Sequence, residues 1–305
     1  MLRCLKERCG RLRTYRYCNH ILPLLSPPHQ YCRIKGNRNR KYVTNETTMN
    51  RTRISKVPVV LHEDRHVLIV DKPSGLLAQE DQFGRPSIVN EIKLSRPDIR
   101  YLTTVHRLDR NVSGVTILAK SKKAASRLSS SFRHREVKKE YVAVVHGTLD
   151  TKDNEEHDLK GRLKRDGRRS VVTNDDDADG TFVSMSWTSI GRGFLLSSYR
   201  QDAISLLRID LHTGFKHQIR CQLADVLGTP IVGDTLYGAP MTLYDRGERR
   251  LGLHALSLRI SHPVPSRFPS PLSIRTDPPL LEWESSLGVP SDLFQQKTDK
   301  DHCSS

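Results

Sequence analysis

Two β-branched runs open the folding part of this chain. Val59-Val60-Leu61 and Val67-Leu68-Ile69-Val70 flank the charged stretch His62-Glu63-Asp64-Arg65-His66, a pattern that predicts two short strands joined by a turn. Asp71-Lys72-Pro73-Ser74-Gly75-Leu76 then interrupts the pattern with Pro and Gly. Between Ser121 and Arg135, Ala124, Ala125, Leu128 and Phe132 recur at helical spacing with Lys and Arg between them, which predicts an amphipathic helix. Further strands are expected at Glu140–Val145, Phe182–Trp187, Ser205–Leu211 and Leu253–Ile260. The charged stretch 149–180 reads as exposed loops or an insertion between strands, and from Ser285 the polar composition predicts a frayed tail. Strands outnumber helices and do not alternate regularly with them. The expected class is α+β, with a mixed, largely antiparallel central sheet and flanking helices.

Charge refines the domain organisation. The 305 residues carry a formal net charge of +16. Of 50 basic and 34 acidic residues, 14 and two fall in residues 1–56, so the rest of the chain carries 36 against 32. The excess therefore belongs to the N-terminal segment, and any affinity of the body for a polyanion must come from a local groove. Arg3, Lys6, Arg8, Arg11, Arg13 and Arg16 can share part of a helix with Leu2, Leu5 and Leu12, as in an organellar transit peptide. Poverty in Ser departs from that pattern; a basic RNA-binding arm and a misassigned start are the alternatives. The expected organisation is a basic extension over 1–56, one catalytic domain over 57–285 and a polar tail over 286–305. The expected destination is an organelle, the mitochondrion ahead of the plastid.

Several classes of function lose support. No apolar run approaches the roughly 20 residues of a membrane span. Four of the six Cys lie in the first 32 residues, with no Cys-x-x-Cys and no zinc-ligand spacing, so no metal site is expected. Neither a Gly-x-x-x-x-Gly-Lys-Ser/Thr loop nor a Gly-x-Gly-x-x-Gly turn occurs, so no nucleotide cofactor is expected.

Chemistry concentrates in two segments. The first is His106-Arg107-Leu108-Asp109-Arg110-Asn111-Val112-Ser113-Gly114, just ahead of the apolar run Val115–Ala119. A carboxylate set among guanidinium groups suits a site that holds an ionised acid against a polyanion. The plainer alternative is a salt-bridged acid that fixes a turn. The second is Leu211-His212-Thr213-Gly214-Phe215-Lys216-His217-Gln218-Ile219-Arg220, followed by Gly233-Asp234 and Tyr237-Gly238. Lys216, His217, Gln218 and Arg220 place donors at the start of an expected helix, which suits a phosphate backbone. Ile219 is odd for an exposed position and could face a base.

These segments, with Lys139-Glu140-Tyr141-Val142-Ala143, Leu253-His254-Ala255, His262-Pro263 and Asp71–Leu76, resemble the motifs of the RluA-type RNA pseudouridine synthases, in the same order over roughly residues 57–285. The resemblance implies the pseudouridine synthase catalytic fold and the isomerisation of uridine to pseudouridine in RNA, without metal or cofactor. It implies that Asp109 is the nucleophilic or bond-breaking carboxylate and that Arg220 ion-pairs with it. It implies that Tyr141 stacks on the uracil and could take part in proton removal at C5. Ile219 would contact the base, and Arg107 would fill the gap left by the flipped uridine or hold its phosphate. Arg110 and Lys216 join the expected substrate-binding set. The implied partner is RNA (tRNA, rRNA or mRNA), bound by a monomer.

Phe215 departs from the pattern, standing where many members have Arg. No S4-type RNA-binding domain is visible ahead of Val57, so recognition is expected to rest on the catalytic domain. A catalytically silent RNA-binding or ribosome-assembly factor on the same scaffold is the alternative function. A glycoside hydrolase would need a second acid, and none is visible beside Asp109.

Overall fold

The computed structural model describes residues 57–149, 151, 154–196, 202–240 and 250–294. The expected extension over 1–56 lies outside them. The described residues all belong to one compact unit, Arg53–Ser305. No described helix is long and apolar enough to cross a membrane.

Among the described residues, eleven strands form one sheet. They are β1 (Val59–Glu63), β2 (Val67–Lys72), β3 (Thr103–Thr104), β4 (Ser113–Ala119), β5 (Lys138–His146), β6 (Glu156–Asp166), β7 (Arg169–Thr173), β8 (Thr181–Phe194), β9 (Ala203–Leu211), β10 (Leu253–Ile260) and β11 (Leu272–Arg275). The main path runs β1-β2-β4-β10-β5-β9-β8-β6-β7, with β3 on β4 and β11 on β10. Among these strands only β4 and β10 pair in parallel, so the mixed, largely antiparallel expectation holds.

The two-residue period of each strand assigns its side chains to two layers. In β2, Val67 and Ile69 pack with Ala124 and Leu128 of α2 (Lys122–Arg133). Leu68 and Val70 point the other way, onto Ile88 and Ile92 of α1 (Ile88–Ser95). Both helices start where a serine hydroxyl accepts an early backbone N–H: Ser87 from Asn90 at 3.3 Å and Ser121 from Ala124 at 3.2 Å. In β5, Tyr141, Ala143 and Val145 join Leu108, Val112, Ile219 and Leu223 on one face. Val142 and Val144 meet Trp283 and Leu287 of α4 (Leu280–Leu287) on the other.

One expectation is settled and one needs correction. Of the two readings of 149–180, the insertion between strands holds: β6 and β7 form a hairpin turned at Gly167 (φ +52°), placed in the chain between β5 and β8. Only one face of β6 is apolar, through the buried Leu159 and Leu163, and the charged residues between them hide the alternation. The polar tail begins later than Ser285. Leu287, Val289 and Leu293 are buried beside Trp283 and cover the face of β5 opposite Tyr141. Each such side chain contributes roughly 1.5–3 kcal/mol by leaving water. Residues 295–305 lie outside the described set.

Candidate active site

The Asp109 loop is held by the first motif. Lys72 is fully buried, and its ammonium donates to the carbonyls of Pro73, Leu76 and Arg110 at 3.1, 2.9 and 3.1 Å. The Gly75 N–H donates to the Arg110 carbonyl at 2.8 Å, and the Ser74 hydroxyl to the Asn111 carbonyl at 2.8 Å. At the entry to the loop, His106 Nε2 accepts from the Ile117 N–H at 3.1 Å, and Phe132 stacks on its ring at 4.6 Å. Burial, helped by the Lys139 charge, pushes the His106 pKa down to about 3, so the ring is neutral and free to accept. Leu108 and Val112 dip into the core on either side, and Asp109 is left at the surface of the turn.

The exit from the loop depends on Gly114. Its φ is +117°, and a Cβ there would lie 2.2 Å from the Ala255 carbonyl oxygen. The close approach lets β4 start alongside β10. Ser113 and His254 seal the pair with a buried hydrogen bond of 2.9 Å.

Gln218 organises the second segment. Its side-chain oxygen accepts from the Thr213 hydroxyl at 2.8 Å and the Phe215 N–H at 3.2 Å, and its amide donates to Gln222 Oε1 at 3.1 Å. Lys139 ties the same turn to β5 by donating to the Thr213 carbonyl at 2.9 Å. The turn opens a single α-helical turn, α3 (Gln218–Cys221), which runs into a π-helical turn over Gln222–Val226. That geometry aims Arg220 inward. Its Nη1 donates to Asp109 Oδ2 at 3.0 Å, while Nε and Nη2 grip both oxygens of Asp234 at 2.7 and 2.8 Å. Burial works against the guanidinium charge, but Asp234 and then Asp109 outweigh it and push the Arg220 pKa up. Among the described residues, Asp109 Oδ1 accepts no hydrogen bond. One oxygen of the carboxylate is clamped and the other is free.

An open cleft of about 780 Å³ surrounds this pair. All seven residues singled out in the sequence line it: Arg107, Asp109, Arg110, Tyr141, Lys216, Ile219 and Arg220. Their roles separate. Ile219 and Tyr141 are buried cleft wall. Arg107 is exposed at the rim. Arg110 spends its Nε–H on the Gly75 carbonyl at 2.9 Å. Burial, with the Asp109 charge beside it, raises the Tyr141 pKa, so its hydroxyl rests protonated. Burial and Arg135 lower the Lys139 pKa to about 8.

The phosphate-donor reading of Gln218 and Arg220 does not hold, because both side chains are committed inward. Phe215 packs against Leu163, Val183 and Tyr237, so the cation it replaces gives way to an apolar anchor. Asp234 and Lys139 were missed as site residues, and His217 and Gln218 were read only as donors to phosphate. The Gly233-Asp234 step and Tyr237 were visible as a motif, but nothing local showed that Asp234 would meet Arg220. Asp234 is the second acid near Asp109, yet the guanidinium consumes both its oxygens and its side chain is only 2% exposed.

A guanidinium-clamped aspartate lining a cleft, on this mixed sheet, is the arrangement that the sequence resemblance implies for an RNA-modifying isomerase. Residues 66–225 match the family model described as RNA pseudouridylate synthase, and the chain belongs to that family. Among curated relatives, tRNA pseudouridine synthase C of Pasteurella multocida is 31% identical over 67% of this chain and 86% of its own length. Ribosomal large subunit pseudouridine synthase D of Xanthomonas campestris is 34% identical over 67% of this chain, but only 62% of that relative is covered. The solved structure of human RNA Pseudouridylate Synthase Domain Containing 1 superposes with a TM-score of 0.63 over 81% of this chain and 93% of its own, at 22% identity. Human RNA Pseudouridylate Synthase Domain Containing 4 superposes with a TM-score of 0.54 over 76% of this chain and 94% of its own, at 21% identity. Both carry the same fold.

Proposed function

We propose that this protein isomerises specific uridines of tRNA or rRNA to pseudouridine, with Asp109 as the reacting carboxylate. The observation that carries the reading is the divided carboxylate of a cleft-lining residue: Oδ2 held by Arg220 at 3.0 Å, Oδ1 with no hydrogen bond among the described residues. Base extrusion costs a few kcal/mol. Stacking on Tyr141 returns roughly 1–3 kcal/mol of it. Ile219 closes the apolar side of the uracil site, and Arg107 faces the displaced backbone.

In the reaction the N1–C1′ bond breaks, the uracil turns in place, and C5 bonds to C1′. The C5 proton leaves and N1 ends protonated, so atoms and charge balance without a co-substrate. Asp109 supports the step by attacking from, or stabilising charge through, Oδ1. The raised Tyr141 pKa makes its resting form a donor. Tyr141 can take the C5 proton only after its own proton has moved.

The test uses tRNA and large-subunit rRNA transcripts carrying tritium at uridine C5. Release of tritium to water marks the loss of the C5 hydrogen. Wild type is expected to release it and Asp109→Asn is not, with RNA affinity retained. Full activity in that variant refutes the assignment. A catalytically silent scaffold would bind without releasing tritium.

The sequence of residues 1–56 supports organellar delivery, the mitochondrion first. A fluorescent fusion of that segment tests it, and cytosolic signal rejects it.

A further inference from the structure

Besides Arg220, His217 also approaches Asp109. Its Nε2 lies 3.6 Å from Asp109 Oδ2, and its side chain is 12% exposed. Its backbone is left-handed, with φ +54°, a conformation that residues other than Gly adopt at a cost. The other ring nitrogen, Nδ1, lies 3.2 Å from the Tyr237 hydroxyl. Tyr237 is itself fixed. Its oxygen accepts from the Ser170 N–H at 2.8 Å, and the Arg169 and Arg220 guanidiniums lie over its ring at 4.7 and 5.1 Å.

The hydroxyl has one proton and two acceptors at 3.2 Å, the Ser170 carbonyl and His217 Nδ1. Burial favours a neutral imidazole at His217; Asp109 opposes it, Arg220 and Lys216 reinforce it, and Asp234 opposes it. A neutral ring carries its proton on one nitrogen. The tautomer with Nε2–H turns a donor toward the Asp109 carboxylate. The other turns a lone pair toward it and is repelled.

We propose that Tyr237 donates to Nδ1 and so sets His217 in the Nε2–H tautomer, and that His217 is a positioning residue bracing Asp109 Oδ2 beside Arg220. The separation of 3.6 Å is too long for a hydrogen bond, and it closes to one when RNA fills the cleft. Two donors on Oδ2 stop the carboxylate from rotating, so Oδ1 alone meets the ribose. This inference rests on Asp109 being the reacting group.

Two measurements test it. In the 15N-labelled full-length protein at pH 7.5, without RNA, long-range 1H–15N spectra report the tautomer of each histidine. The His217 signals, assigned by their loss in His217→Asn, are expected to show Nε2–H, and Tyr237→Phe is expected to mix the tautomers. Nδ1–H or imidazolium in wild type overturns the proposal.

The second is kinetic. Asn tolerates left-handed backbone, so His217→Asn is the chosen variant. With the tritiated transcripts, kcat is expected to fall about tenfold to a hundredfold, with KM within about twofold, as for a small misplacement of the reacting group. A folded variant with wild-type kcat refutes the role. If the variant does not fold, the tautomer decides. Wild type that releases no tritium defeats the functional reading, while the tautomer is still read.

Discussion

Asp234→Asn isolates the support behind the Asp109–Arg220 pair. The substitution keeps shape and removes charge. In wild type both Asp234 oxygens accept from Arg220, at 2.7 and 2.8 Å. In the variant one of those positions becomes an NH2 group facing another donor. The side chains are 2% and 11% exposed, so water cannot compensate. Breaking one member of a buried ion pair costs about 3–5 kcal/mol, and because Arg220 keeps Asp109 the expected loss is near about 3 kcal/mol. For a domain of this size that corresponds to a drop in Tm of about 6–12 °C. Arg220, released from its anchor, also lets Asp109 drift, so kcat is expected to fall at least about tenfold, which requires only about 1.4 kcal/mol at the barrier. Scanning calorimetry and tritium release measure the two effects. A variant that melts within about 2 °C of wild type would show that Asp234 does not carry the guanidinium.

Other perturbations reach different links of the same chain. Tyr141→Ala is expected to weaken RNA binding by about 5- to 150-fold, the equivalent of one stacked base, whereas Tyr141→Phe should keep KM and lose kcat; filter binding and tritium release separate them, and loss of binding in the Phe variant would contradict the stacking role. Lys139 titrates near pH 8 in the folded protein and near 10.5 unfolded, so the unfolded chain holds the extra proton between those values and wild type should gain stability relative to Lys139→Met as pH rises from 8 to 10. Urea unfolding at both pH values reads that gap, and a constant gap refutes it. Gly114→Ala is expected to lose its cooperative melt in circular dichroism, since the added methyl carbon meets the β10 backbone; a soluble variant with wild-type Tm would contradict the parallel pairing.

The strands β2, β4 and β5 were legible because covered strands read as near-continuous apolar runs, and α2 because its apolar residues fall on one stripe. The hairpin of β6 and β7 was not, since a strand with one wet face looks polar in composition. Helix α1 carried a usable signal, Ser87 ahead of Ile88 and Ile92, that was passed over. The seven site residues were legible through their motifs, and all reach the cleft. What escaped was the direction of Gln218 and the second partner of Arg220: the resemblance implied the pair with Asp109, and nothing in the sequence showed that Asp234 would hold the other side of the guanidinium. The pairing of Arg220 with both Asp109 and Asp234 depends on distant parts of the chain meeting.

The place of β10 has a consequence for how the protein comes into being. Ser113 waits for His254, 141 positions later, and the same late strand separates β4 from β5. Contacts of such long range form slowly. On a translating ribosome the loop with Asp109 and the strand with Tyr141 emerge early and remain strangers until residues 253–260 slide between them. A half-made chain therefore carries both segments before the strand that joins them into one sheet has been made.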